Sequence, residues 1–443
     1  MNKILGLFLV SISAIAQNDS KLFSLQQAID YAIVNNKSAQ DATNNIRLAE
    51  LQKWQTTSTG LPQISANIAY NNWIKQQVSL VPAEFFGGTP GEFAEIAFGT
   101  PQTINGTLTL NQKLFDGSYL VGLQAAKVYL EISKLAKEKT TSELRKAVVG
   151  AYGNILLIEA NLSIIERNTT NVENTISDLQ KVYENGMTEI ENIEQLQLTL
   201  AGLNSAKNFN LNLKYLAYQM FNLTLGLDIN TDVVLSDSME NLVADSMLES
   251  STPNQSTLEN NIDFKIALND VRSKELLLKL ERSKALPTLT AYVNGSYIGN
   301  NETFDFLDRS QKWFGASQFG VNMAIPIFSS FGRTALTKKA KIELEKSERS
   351  LNNVRRELEI QIKRAENDLS FAKNDLDTKK LALNLAERIE DKNQIKFFEG
   401  LATSFELSQA QTQLYNAQQQ YIQAMLEVLN KHIALDVLLN PNP

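Results

Sequence analysis

The stretch GLPQISANIAYNNW, Gly60 to Trp73, stands out in a chain whose other patterns are mostly helical. Apart from Ala69, its small polar residues alternate with apolar side chains at every second position: Ile64, Ala66, Ile68 and Tyr70. A period of two is typical of a strand with two different faces. A second Leu-Pro step opens the same pattern in LPTLTAYVNGSYIG, Leu286 to Gly299. The sequence therefore predicts at least two short strands, and the question is what completes them.

The composition of the 443-residue chain is that of a folded protein, with 43% hydrophobic and 21% charged residues. A net charge of −7 argues against nucleic acid as a partner, because phosphate binding needs clustered Lys and Arg. The absence of cysteine excludes disulfides, thiol chemistry and a lipid on an N-terminal cysteine. His432 is the only histidine, so we expect no metal site, no cofactor and no histidine-based catalytic triad.

The first residues, MNKILGLFLVSISAIAQ, have the pattern of a secretory signal. Lys3 precedes an apolar run from Ile4 to Ile15, and an A-x-A site predicts cleavage after Ala16. The alternative is an N-terminal membrane anchor, but the run is shorter than the ~20 residues of a spanning helix. The sequence shows no later apolar run that predicts a membrane helix. We therefore expect residues 1–16 to be a signal peptide and the mature protein to lie outside the inner membrane.

The chain repeats itself. Asn35-Asn36 and Leu61-Pro62 match Asn260-Asn261 and Leu286-Pro287 at a shift of 225 residues. Leu114-Phe115 matches Ile327-Phe328 at a smaller shift. The shift is smaller because the first copy has an insertion between Ile74 and Gln102, which we interpret as a loop. We expect a first repeat over residues 17–227, an acidic connecting segment over 228–256 and a second repeat over 257–443.

Each copy has the same order of elements. A first helix is expected over about 24–60 and 257–285, with a capping box formed by Ser24 and Gln27 in the first copy. After the strand that follows Leu-Pro, a second alternating strand is expected in INGTLTLNQKLF and in QFGVNMAIPIF. A very long helix follows, from about 118 to 183 in the first copy, then a Gly-containing turn and a return helix. The prediction is a mainly α protein with a small β part.

The long helices carry apolar side chains in steps of four and three. In the first copy these are Leu144, Val148, Ala151, Ile155, Ile158, Leu162 and Ile165, and in the second copy Leu358, Ile362, Ala365, Leu369, Ala372 and Leu376. A 3.5-residue repeat predicts left-handed coiled-coil packing. Each copy is therefore expected to contain a long antiparallel helical hairpin.

The four strands admit two interpretations. Their length of roughly ten residues and their two-faced pattern suit membrane strands. In lipid only a closed barrel is viable, and since the smallest barrels have about eight strands, several chains would have to contribute to one barrel. A small soluble sheet packed on the helices explains the alternation equally well. The secretory signal and the very long helices favour the membrane interpretation.

The chain resembles the TolC-type outer-membrane efflux channels of Gram-negative bacteria. The resemblance rests on FSLQQAIDYAIVNN, on the Leu-Pro step in each half, on LFDGSYL and IFSSFGR, and above all on GLATSFELSQAQTQLYNAQQQY. It implies a homotrimer with a twelve-stranded barrel in the outer membrane, in contact with lipid, standing on a periplasmic α-barrel. It also implies a periplasmic adaptor protein and an inner-membrane pump as partners in tripartite efflux or type I secretion.

The resemblance also indicates residues at the periplasmic entrance. Family members narrow the pore with acidic residues at the positions of Glu406 and Gln409, of which only the first is acidic here. The alternative is that Glu406 is an ordinary residue near a helix N-terminus. The family's Arg–Asp pair of the closed state falls on Ala402 and Asn192 and cannot form. Nearby carboxylates could enlarge an acidic mouth: Glu189, Glu191 and Glu194.

The hairpin tips are the second set of candidate residues. Gly186 and Gly400 are expected to end their helices in the left-handed conformation. The resemblance implies that the tips receive the adaptor, through Gly186, Met187, Gly400, Leu401 and Thr403. Four aromatic residues of the strands could form an interfacial girdle or could pack inside a soluble sheet: Tyr70, Trp73, Tyr292 and Tyr297.

Three functions compete at this point. The first is a passive conduit for substrates delivered by a pump. The second is a periplasmic coiled-coil adaptor or scaffold without a pore. The third is an enzyme, which the sequence favours least, because it shows no nucleophile–base pair, phosphate-binding loop or metal cluster. We expect a channel that is not an enzyme.

Overall fold

The computed structural model describes residues 21–248 and 257–440, so the expected signal peptide at 1–16 lies outside the described residues. The chain is mainly helical with a small β part, as the sequence predicts. The helices are α1 (Leu25–Asn35), α2 (Lys37–Ser58), α3 (Gly117–Glu184), α4 (Ile190–Leu225), α5 (Met239–Leu248), α6 (Thr257–Asn260), α7 (Ile262–Ser283), α8 (Gly332–Phe398) and α9 (Ser404–Leu439). The strands are β1 (Lys21–Phe23), β2 (Gln63–Asn72), β3 (Val78–Pro82), β4 (Phe93–Ala97), β5 (Gln102–Asp116), β6 (Val233–Leu235), β7 (Thr288–Asn301) and β8 (Trp313–Ala324).

The described residues form two compact units. The first lies within residues 1–46, 133–267 and 351–443, and contains most of a first hairpin (α3 and α4) and of a second hairpin (α8 and α9). The second unit lies within residues 47–132 and 268–350 and contains a four-stranded sheet.

Each predicted first helix is divided in two by an asparagine, which the sequence-based expectation missed. Asn36 separates α1 from α2, its backbone being extended with ψ 135°. Its side-chain amide donates to the carbonyl of Thr224 at 2.8 Å, while its Oδ1 accepts from the backbone of Ser38 at 2.8 Å. Asn261 does the same between α6 and α7, with the carbonyl of Leu438 at 3.0 Å and the backbone of Asp263 at 2.9 Å. At each break, the asparagine side chain therefore forms hydrogen bonds that it could not form within a continuous helix. The capping box of Ser24 and Gln27 is present.

The core of the first unit lies along α3. The predicted apolar stripe is buried from Leu144 to Ile165, apart from half-buried Ala151, and it packs with residues of α4 and α9 such as Phe221 and Val428. Among the described residues, α3 is the one helix that is long and apolar enough to cross a membrane, and half of its most apolar stretch is buried inside the protein. Burial against other helices accounts for this apolar character.

The connecting segment is folded where the structure describes it. Strand β1 pairs in parallel with β6, which begins at Val233. The buried hydroxyl of Tyr152 donates to the carbonyl of Phe23 at 3.1 Å and lies 3.1 Å from Oδ2 of Asp237, which also accepts from the backbone of Leu25 at 2.7 Å. Helix α3, the connecting segment and the start of α1 are thus joined at one point.

The sheet of the second unit is antiparallel, in the order β2-β5-β7-β8. Both Leu-Pro steps lie directly before a strand, as predicted. The fourth strand differs from the prediction, since β8 begins earlier, at Trp313, and ends before Ile325 and Pro326. The insertion is not simply a loop, because β3 and β4 pair as an antiparallel hairpin within it.

Candidate functional site

Each long hairpin turns at a glycine in the left-handed conformation. Gly186 has φ 73° and Gly400 has φ 71°, a region that only glycine adopts without strain. The backbone N–H of Met187 bonds to the carbonyl of Val182, and that of Leu401 to Lys396, which closes the end of each helix. The left-handed conformation that the sequence predicts for Gly186 and Gly400 is confirmed. Met187 and Leu401 are the most exposed apolar residues of the turns, at 74% and 73%.

Helix α9 begins with a capping box. The hydroxyl of Thr403 accepts from the backbone of Glu406, whose carboxylate in turn accepts from the backbone of Thr403 at 2.7 Å and from its hydroxyl at 3.0 Å. These bonds, together with Lys396, lower the pKa of Glu406. The side chain is therefore an ionised, exposed cap at the helix N-terminus, and Gln409, one turn later, is exposed as well.

Helix α4 begins without such a cap. Glu189 is its N-cap residue and makes no capping bond with its side chain. Glu191 and Glu194 are exposed, so three carboxylates stand at this helix start. Asn192 is half-buried and its amide donates to the hydroxyl of Thr188 at 2.9 Å.

The two helix starts are joined by a residue that sequence reasoning missed. The hydroxyl of Ser404 lies 2.5 Å from Oδ1 of Asn192 and 3.0 Å from Oε1 of Gln195. Ser404 is only 4% exposed, so this contact between the hairpins is buried. Of the predicted gate residues, the structure brings Asn192 to the second hairpin, while the carboxylate of Glu406 bonds within its own helix start. Ala402 is half-buried.

The register of the four strands places most apolar side chains on one face of the sheet and most polar side chains on the other. One face is largely apolar, with Ile64, Ile68, Tyr70, Ile104, Leu108, Leu110, Val293, Tyr297, Trp313, Phe319, Val321 and Met323. The other is largely polar, with Ser65, Asn67, Asn71, Thr103, Asn105, Thr107, Thr109, Asn111, Asn294, Ser296, Gln318 and Asn322. Most of the apolar side chains are exposed in the single chain, among them Ile68 at 79% and Phe319 at 71%.

The four aromatic residues that could form a girdle or pack inside a soluble sheet do not all lie on one face. Tyr70 and Tyr297 lie on the apolar face, whereas Tyr292 pairs with Gly320 on the polar face. Tyr70 makes edge-to-face contacts with Phe304 and Phe306 of the β7–β8 loop, at centroid distances of 5.4 and 6.2 Å. An aromatic cluster therefore stands at one end of the apolar face.

The free edges of the sheet are β2 and β8, each of which pairs on one side only. Unpaired strand edges cannot face hydrocarbon, because each unsatisfied N–H or C=O group would cost several kcal/mol.

Over residues 21–248 and 257–440, no group of three or more His, Asp or Glu side chains is placed to hold a metal ion.

Comparison with known proteins agrees with this architecture. Residues 254–441 match the model of the family described as outer membrane efflux protein. The outer membrane protein TolC of Vibrio cholerae is 22% identical over 339 residues, which cover 72% of this chain and 74% of that protein. The solved structure of CusC shares the fold, with a TM-score of 0.76 and 17% sequence identity over 94% of this chain and 91% of CusC. The open state of the Neisseria gonorrhoeae MtrE outer membrane channel shares it as well, with a TM-score of 0.73 and 16% sequence identity over 94% of this chain and 88% of MtrE.

The family consists of channel proteins, and the structural neighbours are outer-membrane channels built on the same fold. The segments that carry the resemblance in the sequence lie at the helix starts and strand ends described above. The chain is therefore similar to the TolC-type outer-membrane efflux proteins, through the family match of residues 254–441 and the fold that it shares with the solved channels.

Proposed function

We propose that three copies of this chain join their sheets into one twelve-stranded barrel in the outer membrane, which conducts substrates passively to the exterior. The observation that carries the proposal is the sheet itself, with an apolar face, a polar face and two unpaired edges. Four strands are too few to close a barrel, since the smallest have about eight. Pairing of β2 with β8 of the next copy satisfies both edges, turns the apolar face to lipid and lines the lumen with Asn, Thr, Ser and Gln.

The helices support the same assembly. In the single chain, helix α4 exposes more than half of the surface of four apolar residues: Phe209, Leu216, Met220 and Leu223. Phe209, Leu216 and Leu223 are spaced seven residues apart and so lie on one side of the helix. Contact with the neighbouring copies in a periplasmic α-barrel would bury this stripe.

The two halves of the chain are proposed to be structural repeats, over residues 17–227 and 257–443, joined by the segment 228–256. The paired contacts of Asn36 with Thr224 and of Asn261 with Leu438 support this division, because both bind the end of the return helix in their own half. Helix, strand pair and long hairpin follow in the same order in each half.

The periplasmic entrance is proposed to lie where α4 and α9 begin. Three copies of this region would gather Glu189, Glu194, Glu406, Gln409 and Asn192 around one axis. The lowered pKa of Glu406 supports a permanent negative charge there, which favours cations. Because its carboxylate caps α9, Glu406 holds the helix start in place as well as contributing charge.

The hairpin tips are proposed to receive a periplasmic adaptor that connects the channel to an inner-membrane pump. The apolar side chains of Met187 and Leu401, exposed beside Gly186 and Gly400, support such a contact. Thr403 fixes the direction in which α9 leaves the second tip.

Reconstitution into planar bilayers tests the function. The mature protein, extracted with detergent as a heat-modifiable trimer, should produce defined single-channel currents. A water-soluble monomer that gives no current would instead support the periplasmic scaffold. Cross-linking from cysteines placed at Met187 and Leu401, in this cysteine-free chain, should then capture the adaptor in cells.

A further inference from the structure

A cleft of about 550 Å³ lies between helices α3 and α4 and the segment that leads into strand β6. This volume is within the range of small-molecule sites, which is about 300–1,000 Å³. The α4 cleft, as we call it, is lined by Glu159 of α3, by Leu211 to Asn222 of α4 and by residues 229–234. None of its lining residues belongs to the four-stranded sheet, the predicted entrance or the hairpin tips, so the proposed conduit gives it no role.

The α4 cleft exposes apolar surface, of which the ring of Tyr215 is the largest part. Tyr215 is 64% exposed, and its side chain makes no hydrogen bond, ion pair or ring contact with any described residue. Ile229 and Val234 are exposed apolar residues of the segment that forms the other wall. A tyrosine ring with an open face is a surface onto which a flat apolar group can stack.

The polar lining of the α4 cleft is organised around one carboxylate. The ammonium group of Lys214 and the hydroxyl of Tyr218 both reach Oε1 of Glu159 at 2.9 Å. Burial, and after it the charge of Glu159, raises the pKa of Tyr218, so the hydroxyl keeps the proton that it donates. Oε2 of Glu159 and the carboxylate of Asp232 accept no hydrogen bond from any described residue. Two acceptors thus remain for a bound molecule.

Asn222 fixes one wall of the α4 cleft and has an unsatisfied oxygen. Its side-chain amide donates to the carbonyls of Ile229 and Thr231, at 3.2 and 2.8 Å. The residue is 1% exposed, yet its Oδ1 has no hydrogen-bond partner within the described residues. A buried acceptor without a partner costs free energy, and a hydroxyl of a bound molecule would lower that cost.

The α4 cleft lies on a different side of α4 from the apolar stripe that is proposed to contact neighbouring copies. Leu211, Tyr215, Tyr218 and Asn222 follow one another in steps of four and three and so share one side. Tyr215 immediately precedes Leu216 of the stripe, so the two sides differ in direction by about 100°. Contact between copies through the stripe therefore does not require the cleft to be covered.

This combination of groups favours a sugar as the ligand. Sugar hydroxyls both donate and accept, so they pair with carboxylates, amides and ammonium groups, while the C–H face of a sugar ring stacks on tyrosine. An extended peptide fits less well, because the carbonyls with which its backbone would pair are engaged. Those of Ile229 and Thr231 accept from Asn222, and that of Asp232 accepts from Lys21. A purely apolar ligand would strip water from two carboxylates without replacing it.

We propose that the α4 cleft binds a saccharide chain in the periplasm. A sugar ring stacks on Tyr215, its hydroxyls donate to Oε2 of Glu159 and to Asp232, and another accepts from Lys214. The helical part of an outer-membrane channel of this kind lies in the periplasm, where saccharide chains are either N-acetylated, as in the cell wall, or built from glucose. The inference goes beyond the proposed conduit and does not depend on conductance.

Isothermal titration calorimetry of the full mature protein tests the site. The detergent must have no sugar headgroup, because a maltoside or glucoside would compete for the cleft. Chitotetraose and cellotetraose are the two saccharide probes, and tetra-alanine is the peptide probe. At least one saccharide should bind at millimolar concentration, and the tighter one identifies the source. Binding of neither saccharide, or of the peptide alone, would overturn the proposal.

Substitutions place the binding in the α4 cleft. Tyr215→Ala should weaken saccharide binding about tenfold, because the stacking surface is lost. Asp232→Asn should weaken it by a similar factor, because a charged acceptor is replaced by a neutral one. Tyr129→Ala is the matched control, since Tyr129 is an exposed tyrosine of α3 outside the cleft.

Each variant should melt at the wild-type temperature, because the substituted side chains make no hydrogen bond within the described residues. Wild-type affinity in both cleft variants, or equal weakening by Tyr129→Ala, would show that the saccharide binds elsewhere and would overturn the assignment. Single-channel current is recorded separately. Its absence from a protein that binds saccharide would contradict the proposed function alone.

Discussion

The side-chain amide of Asn261 donates to the backbone carbonyl of Leu438 over 3.0 Å, and so fixes the end of α9 to the start of α7. Its Oδ1 also caps α7 by accepting from Asp263. With 1% of its surface exposed, Asn261 has no water to replace either bond. Asn261→Ala should therefore lower the free energy of unfolding by about 2 kcal/mol or more, through the lost cap and a buried unsatisfied carbonyl. Thermal unfolding followed by circular dichroism in detergent measures this, with exposed Asn260→Ala as the control that should change little.

Gly226, at the end of α4, is predicted to tolerate no side chain. Its φ is 80°, and an added Cβ would come within 2.4 Å of the backbone oxygen of Asn35. Gly226→Ala should cost about 2 kcal/mol or more, because neither backbone can give way and the left-handed conformation is strained for alanine. Gly202→Ala is the matched change, since Gly202 lies inside α4 with open space around it. That variant should gain up to about 1 kcal/mol of helix propensity. Equal melting temperatures for the two would refute the argument.

Tyr152 should make stability fall in alkaline solution. Burial raises its pKa from 10.0 to about 12, so the phenol keeps its proton in the folded protein after the unfolded chain has lost it. Between about pH 10 and pH 12 the unfolded state binds fewer protons, and stability should decline by about 1.4 kcal/mol per pH unit from this group.

Tyr152→Phe should abolish this part of the alkaline decline. At neutral pH the variant should be less stable by about 1–3 kcal/mol, because the hydrogen bonds of the hydroxyl to the carbonyl of Phe23 and the carboxylate of Asp237 are lost, while Ser236 and Leu25 still donate to these acceptors. Melting temperatures at several pH values from 7 to 12 measure both effects. An alkaline decline as steep in the variant as in the wild type would show that other groups cause it.

Glu406 combines a charge with a cap, and two substitutions separate the roles. Glu406→Gln keeps a side chain that can bond to Thr403 but removes the charge, so it should reduce the cation preference of single channels without altering stability. Glu406→Ala removes both, and should additionally destabilise the start of α9. Reversal potentials in a salt gradient measure selectivity. If both variants have the same cation selectivity as the wild type, Glu406 is only a helix cap.

The pH dependence of selectivity follows from the same residue. Because the bonds from Thr403 lower the pKa of Glu406, its carboxylate stays ionised as the pH falls to its usual range near 4.5. The contribution of Glu406 to cation preference, measured as the difference between wild type and Glu406→Gln, should therefore be constant from pH 8 to pH 5. A contribution that disappears between pH 7 and pH 6 would contradict this assignment.

The sequence predicts those parts of the fold that depend on local chemistry. The Leu-Pro steps mark the strand starts, Ser24 and Gln27 form the expected capping box, and Gly186 and Gly400 adopt the left-handed turn. In each case the residue type and its nearest neighbours determine the outcome.

Features that depend on distant partners were missed. The breaks at Asn36 and Asn261 form because carbonyls almost two hundred residues away accept their amides. Ser404 and Gln418 look like solvated polar residues until their partners on the first hairpin are known, although their spacing in sevens from Gln411 was visible in the sequence. Apolar periodicity cannot identify a seam that is buried but polar.

The face of a strand residue could have been assigned from counting alone. Tyr292 and Tyr297 are separated by an odd number of positions, which places them on opposite faces of one strand. The pairing of β3 with β4 in the insertion was harder to see, because its residues carry no clear alternation beyond Val78 to Val81.

The central claim is that one chain supplies a third of a barrel, and the mass of the assembly tests it most directly. Native mass spectrometry of the detergent-extracted protein, with the micelle removed in the gas phase, should give three times the mass of the mature chain. A monomer, a dimer or any assembly whose strands do not add up to twelve would contradict the account.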